Sequence, residues 1–330
     1  MIDTGLPSAE AFGASAAPAD LLALNERLRA EHARRPEPWE FPVAEVRQAR
    51  NEGKGIFPPA VPDEDAVATA VEGPAGPVPV RVIVPRSRAA RGTFLHIHGG
   101  GWVFGNAVEY DLRLRRLAES AGVATVSVDY RLAPENPFPA AQDDCLAVAR
   151  AVLAGRIDGA PATGCAIGGE SAGAHLAVVT LLRLRDEDGV LPFVAANLVA
   201  GIYDLSMTPS AERWGDDRLI IGTRDIANFV RCAVPKGMDL RDPLVSPLFA
   251  DLTGLPPARL SVGTEDPLLD DSLFMAARWV AAGNAAELAV TPGGCHVFEA
   301  FGTATGEASL EAADRFISRR LDAAAQAPTG

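Results

Sequence analysis

The stretch Cys165-Ala166-Ile167-Gly168-Gly169-Glu170-Ser171-Ala172-Gly173-Ala174-His175-Leu176 constrains this chain most. Cys165 to Ile167 reads as the end of a buried strand. Ala174 to Leu182 reads as a helix that is apolar nearly all round, hence a buried one. Between them lies Gly169-x-Ser171-x-Gly173, the pattern of a serine held on a sharp strand-to-helix turn. Such a turn brings the residues on either side of the serine close together, so they must be small. The helix that follows presents free N–H groups at its N-terminus, and these favour developing negative charge. A helix-capping serine in a Gly-rich turn would give the same five residues, so the rest of the chain decides. Two rival loops fail at the residues that would touch phosphate. A dinucleotide-binding Gly-x-Gly-x-x-Gly would need glycine where Glu170 stands. A Walker-type loop would end in Gly-Lys-Ser/Thr, and this one ends in Gly173-Ala174-His175.

From Phe94-Leu95-His96-Ile97-His98 onward, strand patterns alternate with helical ones. Strands are expected at 123–128, 165–168, 197–201, 259–262 and 287–291, with helices at 140–153 and 268–282 and along the face Leu310, Ala313, Ile317, Leu321. That rhythm predicts an α/β fold with a parallel sheet and helices on both faces. Ahead of it, 66–72 and 78–84 flank Gly73-Pro74-Ala75-Gly76-Pro77 and predict an antiparallel hairpin. Leu21, Leu24 and Leu28 mark a first helix. Residues 203–245 break the rhythm, with Tyr203, Trp214 and Phe229 scattered among charges. An insertion after a strand's C-terminal end lies on the edge where open α/β sheets bind ligands. The expected division is therefore 1–50 as the N-terminal part of a helical cap and 51–202 as the first part of the core. Residues 203–245 form the cap insertion, and 246–330 the second part of the core.

A serine nucleophile needs a base, usually histidine. The chain has five histidines. His32 falls in the first helix and is expected to be exposed; His96 and His98 fall on one strand and His175 on the buried helix. Only His296, in a loop past the last strand, follows a plausible acid in the order Ser, acid, His. Glu265, Asp266, Asp270 and Asp271 are the carboxylates before it. Asp266 is best placed, at a strand end and directly before Pro267, to orient the imidazole. It can cap the next helix as well. Asp270 is the second choice. The glycines of His98-Gly99-Gly100-Gly101-Trp102 stand at a strand end about 70 residues before the serine. They leave backbone N–H groups open to an oxyanion. Gly100, Gly101 and Ala172 are the expected donors, and His98 is expected to hold the loop. Trp102, Tyr203 and Trp214 are the candidate substrate contacts.

Composition narrows the partners. A net charge of −13 argues against a nucleic-acid surface. No apolar run reaches the ~20 residues of a membrane span, and Met1-Ile2-Asp3-Thr4-Gly5 has no basic or apolar leader. A cytoplasmic location is expected. Cys145, Cys165, Cys232 and Cys295 are too far apart for a zinc site. They read as reduced thiols, with a Cys145–Cys232 disulfide left open. No metal and no cofactor is expected, and a homodimer stays open.

Five pieces in order resemble the hormone-sensitive-lipase branch of the α/β-hydrolases, the microbial carboxylesterases. They are His98-Gly99-Gly100-Gly101-Trp102, Asp129-Tyr130-Arg131-Leu132-Ala133-Pro134-Glu135, Gly169-Glu170-Ser171-Ala172-Gly173, Asp266-Pro267-Leu268 and His296. The resemblance covers about residues 60 to 320. It implies an α/β-hydrolase fold, a mostly parallel eight-stranded sheet with a two-part helical cap. Glu170 stands where the family usually carries Asp or Thr, and Ala174 where Gly is common. The implied activity is hydrolysis of a small ester through an acyl-enzyme on Ser171. A hormone receptor on the same fold would lack the working histidine, whereas His296 is present. An amidase or peptidase would use the same triad. The cap's bulky residues alternate with Glu212, Arg213, Asp216, Asp217 and Arg218, so its apolar face should turn inward. That predicts acyl chains of about C2 to C8 and negligible turnover of emulsified triglycerides.

Overall fold

The computed structural model describes residues 12, 13 and 16–326. The hairpin forms as its turn residues dictate. Strands β1 (Val67–Gly73) and β2 (Gly76–Ile83) pair antiparallel, with Val67 opposite Val82 and Gly73 opposite Gly76. Val78, Val80 and Val82 point inward, while β1 lies at the sheet edge and is mostly exposed. Runs without a polar face become central strands. Every residue of β3 (Thr93–Ile97) and β4 (Ala124–Val128) is buried, as is β5 (Cys165–Glu170) up to its last residue. A strand covered on both faces needs no alternation of polarity. With β6 (Phe193–Val199), β7 (Ala258–Glu265) and β8 (Ala286–Cys295), the sheet has eight strands in the order β1-β2-β4-β3-β5-β6-β7-β8. The β1–β2 and β2–β4 pairs are antiparallel and the others parallel.

In chain order the helices are α1 (Ala19–His32), α2 (Val43–Asn51), α3 (Asp111–Leu117), α4 (Ala140–Leu153) and α5 (Ala172–Asp188). They continue as α6 (Pro209–Arg213), α7 (Thr223–Ala233), α8 (Leu269–Ala281) and α9 (Ala304–Gln326). Successive strand residues point to opposite faces, and the two cores follow that alternation. Phe94 and Ala166 pack with Leu114 and Leu117 of α3 and Phe316, Ile317 and Leu321 of α9. Their neighbours Leu95 and Ile167 pack with α4 and α5 on the other face, where Leu176, Val178 and Leu181 are fully buried.

Several strands run beyond the sequence expectation; among them, β6 starts at Phe193, and β8 continues to Cys295. Small residues such as Ala195 and Ala196 carry no strand signal, yet they are wholly buried in β6. Pro292-Gly293-Gly294 reads as a turn, but it stays in β8 because Gly263 of β7 passes against Gly294. A Cβ on Gly263 would stand 2.6 Å from the Gly294 Cα. The pairing slips there, and Cys295 comes opposite Glu265.

The N-terminal helices and the insertion meet. Leu21, Leu24 and Leu28 of α1 join Leu219, Ile220, Cys295 and Phe298 in one apolar cluster. Trp39 Nε1 donates to Asp225 Oδ1 at 2.7 Å, and Arg218 pairs with Glu37 at 3.0 Å. Arg29 reaches Asp217 at 3.0 Å. His32, expected to be exposed, is half-buried in this seam.

Candidate active site

Parallel strands deliver their loops to one edge. The register sets Ile97 of β3 beside Gly169 of β5, and Glu170 beside Val199 of β6. The loops after β3, β5, β7 and β8 therefore converge.

Ser171 has φ 56° and ψ −120°, a backbone conformation that L-residues resist. Its N–H donates to the Val199 carbonyl at 2.8 Å, and its own carbonyl accepts the first helical bond, from His175 N–H at 3.2 Å. The two flanking glycines have a steric cause. A Cβ on Gly169 would lie 2.8 Å from the Gly173 carbonyl carbon and collide with the Ile97 carbonyl oxygen. One on Gly173 would meet the same oxygen and stand 2.7 Å from that of His98. The turn is thus pressed against the end of β3 as well as against itself. The result leaves Ser171 half-exposed above a wholly buried Ala172.

His296 Nε2 lies 3.0 Å from Ser171 Oγ, and its Nδ1 lies 2.9 Å from Asp266 Oδ2. Asp266 is buried, and its Oδ1 accepts the Leu268 N–H at 2.9 Å. The carboxylate so fixed orients the ring and favours the Nδ1–H tautomer, which leaves Nε2 free to accept a proton. Asp270 points elsewhere: its Oδ2 accepts the Ser210 N–H at 2.8 Å.

The other histidines have structural partners. His98 stacks on Tyr130 at 4.2 Å, and its Nδ1 bonds the Gly99 carbonyl at 2.8 Å. His175 donates through Nε2 to the Val245 carbonyl at 2.9 Å, and burial pushes its pKa down to about 4, so it is neutral. His96 lies between Ser127 Oγ at 2.8 Å and Glu170 Oε2 at 3.0 Å.

Gly100, Gly101 and Trp102 have φ of 115°, 61° and 62°. The Gly99 N–H is taken by Tyr110 Oη at 3.3 Å. Those of Gly100, Gly101 and Ala172 find no acceptor among the described residues. Ala172 opens α5, so its donor has no intrahelical partner. The turn after β3 and the first residue of α5 thus leave three N–H groups open.

The three candidate substrate contacts differ. Trp102 is buried, edge-on to His175 at 5.0 Å, and lines a small pocket with Phe138, Leu205 and Val245. Tyr203 is fully enclosed over Gly201 and presents no surface to a ligand, which corrects the expectation. Trp214 is half-exposed and packs in the cluster that joins α1 to Cys295 and Phe298. Sequence reading misses Phe229 of α7, whose ring covers Gly101: a Cβ there would lie 2.6 Å from Phe229 Cε1. Only the aromatic's place in the insertion hints at it. Among the described residues no group of His, Cys, Asp or Glu is arranged as metal ligands, and Cys145, Cys165, Cys232 and Cys295 are unpaired. No described helix is long and apolar enough to cross a membrane.

A mostly parallel eight-stranded sheet carrying a serine on this turn defines an α/β-hydrolase. The chain belongs to that family, and the model described as "alpha/beta hydrolase fold" matches residues 94–300. Within it the chain is a carboxylic ester hydrolase of the hormone-sensitive-lipase-like branch. It is similar to esterase LipI of Mycobacterium tuberculosis, 36% identical over 68% of this chain and 72% of that one. It is also similar to an ethyl acetate hydrolase of Pseudomonas putida, 32% identical over 70% of this chain and 74% of that one. A solved hormone-sensitive lipase from a metagenome library superposes with a TM-score of 0.80 and 29% identity, covering 92% and 99% of the two chains.

Proposed function

We propose that Ser171, His296 and Asp266 are the catalytic triad of a serine carboxylesterase acting on short-chain esters. The observation that carries this is the bridging position of His296, 3.0 Å from Ser171 Oγ and 2.9 Å from Asp266 Oδ2. Ser171 Oγ attacks the ester carbonyl carbon while His296 Nε2 takes its proton. The carbonyl oxygen becomes an oxyanion, held by the N–H groups of Gly100, Gly101 and Ala172. The C–O bond to the alcohol breaks, and His296 returns the proton to the departing oxygen. Water then gives a proton to His296 and attacks the acyl-serine. The acid leaves and Ser171 regains its proton.

Residues 16–50 and 203–245 act as a cap over this site; residues 1–11, 14 and 15 of the expected N-terminal part lie outside the described residues. The aromatic contacts at Phe229 and the cap's interleaved charges support a closed pocket for small acyl groups, of about C2 to C8. The relative named for ethyl acetate hydrolysis agrees with a short acyl chain.

A phosphonate ester offered to the purified protein tests the assignment. It should add one phosphonyl group, on the peptide carrying Ser171. Label on another residue, or hydrolysis that survives complete labelling, would overturn it. A series of p-nitrophenyl esters then reads the chain-length preference.

A further inference from the structure

Arg47 lies in α2, ahead of the segment that the family match covers. Its Nε donates to the Val103 carbonyl at 2.8 Å, and its Nη2 donates to the Ala133 carbonyl. The same guanidinium grips both oxygens of Glu135, at 3.0 and 2.9 Å. Val103 is the second residue past Gly101. The Ala133 N–H in turn donates to the Trp102 carbonyl at 2.9 Å. Two backbone segments, at 102–103 and at 133–135, are therefore laced together by one side chain.

The turn needs such support. Gly100, Gly101 and Trp102 are three successive residues at positive φ, and at Trp102 no glycine relieves the strain. The inner side of the turn is closed by the Val103 and Phe104 N–H groups, both on the Gly100 carbonyl at 3.1 and 2.8 Å. Among the described residues, its outer side has only the Arg47 and Ala133 bonds. A guanidinium can hold two carbonyls and a carboxylate at fixed angles, which an ammonium cannot.

We propose that Arg47 is a positioning residue, bracing the turn from behind so that the Gly100 and Gly101 N–H groups stay aimed at the reacting carbonyl oxygen. The inference rests on the reading of those N–H groups as the oxyanion site. The N-terminal segment is then a working part of catalysis, besides covering the pocket. Arg47 touches no reacting atom, so its loss should weaken the transition state and leave substrate binding nearly unchanged.

The test is Arg47→Met beside Arg47→Lys, with kcat and KM on p-nitrophenyl butyrate. Alongside runs the affinity for a trifluoromethyl ketone, which adds reversibly to the serine and forms an oxyanion. Displacing an oxyanion donor by about an ångström costs about 10²-fold. In Arg47→Met, kcat is expected to fall about 10²-fold with KM within about twofold, and ketone affinity by the same factor as kcat/KM. Arg47→Lys, which can reach one carbonyl, should lose about tenfold. Guanidinium ion added to Arg47→Ala should restore part of kcat. If Arg47→Met fails to fold, Arg47→Lys and Glu135→Gln carry the test through the same shared fall in kcat and ketone affinity. A variant that raises KM alone, or loses kcat with ketone affinity intact, overturns the brace. Ser171→Ala separates the two readings. Turnover that survives it overturns the site, whereas turnover lost there and untouched by Arg47→Met overturns the brace alone.

Discussion

The molecule holds two lines of serine, histidine and carboxylate. In one, His296 stands 3.0 Å from Ser171 Oγ and 2.9 Å from Asp266. In the other, His96 stands 2.8 Å from Ser127 Oγ and 3.0 Å from Glu170. By residue type and distance they are nearly the same, though the ring nitrogens exchange partners. They differ in where the serine sits. Ser127 lies inside β4 and is wholly buried, with strands on both sides. Ser171 stands at the tip of a strained turn, half-exposed, beside three N–H groups without acceptors. Three side chains in a row therefore make a hydrogen-bond network. They become a nucleophile only where the backbone opens the serine to substrate and offers donors for the oxyanion.

The largest effect expected breaks the two lines apart at their serines. Ser171→Ala should lower kcat by about six orders of magnitude, as in other serine triads. Ser127→Ala should leave kcat within a few-fold and cost about 1 kcal/mol of stability for one lost buried bond. Comparable kinetic losses in both variants would show that the second line takes part in the chemistry. The acids come next. Asp266→Asn should cost about four orders of magnitude by favouring the wrong tautomer of His296. Glu170→Gln, which can still bond His96, should cost less than about tenfold. Asp270→Asn should behave like Glu170→Gln, because its carboxylate serves Ser210. A reversed rank of Asp266 and Asp270 would mean that the acid loop works one helical turn further on.

The first line is legible in the sequence and the second is not. Chain order together with the marks left by strand ends and Gly-rich turns singles out Ser171 and His296 and ranks Asp266 ahead of Asp270. His96 is visible on its strand, but nothing local ties it to Ser127 and Glu170; those contacts depend on how β3, β4 and β5 sit side by side. The same holds for Arg47, whose partners Val103, Ala133 and Glu135 are remote in sequence. Most strands of the fold are readable from apolar runs. The end of β8 is hidden because its proline and glycines mimic a turn. Tyr203 misleads for a related reason: an aromatic in a charged insertion looks like a pocket wall, but it is packed inside.

A third carboxylate sharpens the contrast through stability. Asp266 faces a histidine, whereas Asp271 is wholly buried with only neutral partners. These are the N–H groups of Tyr203 at 2.6 Å and Asp204 at 3.0 Å, and the Thr208 hydroxyl at 2.6 Å. Burial pushes its pKa from 3.8 up to about 7. The unfolded chain releases this proton near pH 4 and the folded chain keeps it to about pH 7. The folded state thus binds more protons across that window, and stability falls as pH rises through it. The loss is on the order of a few kcal/mol. Asp271→Asn keeps an oxygen for the two N–H groups and turns an NH₂ to Thr208, with no charge to bury. Its Tm should exceed that of the unaltered protein at pH 8, with a gap that closes toward pH 4. His175 titrates with the opposite sign, losing stability as pH falls toward its value of about 4. It is present in both proteins and drops out of the difference. A gap that stays constant from pH 4 to 9 in calorimetry would show that Asp271 does not titrate there.

The smallest effect concerns how far a substrate can extend beyond Ser171, the space that Ser127 lacks altogether. Phe229 covers Gly101 from α7, and two further rings hold it, Trp39 at 5.0 Å and Phe104 at 5.8 Å, both edge-on. Trp214 packs against α1 instead, and the ring seated on the Gly100–Gly101 turn is that of Phe229. Each added methylene should gain about 0.8 kcal/mol, or about fourfold in kcat/KM, until the chain meets a wall. Beyond that length, crowding reverses the trend. Phe229→Ala removes the ring and leaves room for further carbons, so the optimum in the ester series should move to longer chains. On the acetate ester, too short to reach the wall, kcat should change less than about fivefold. Trp214→Ala should move the optimum less. The reverse ranking would place the wall at the α1 seam. A rate that climbs steadily to C16, or jumps as the ester passes its solubility limit, would mean that the cap opens onto a lipid surface. The charged face of 212–218 would then have to lie beside lipid, which its desolvation cost opposes.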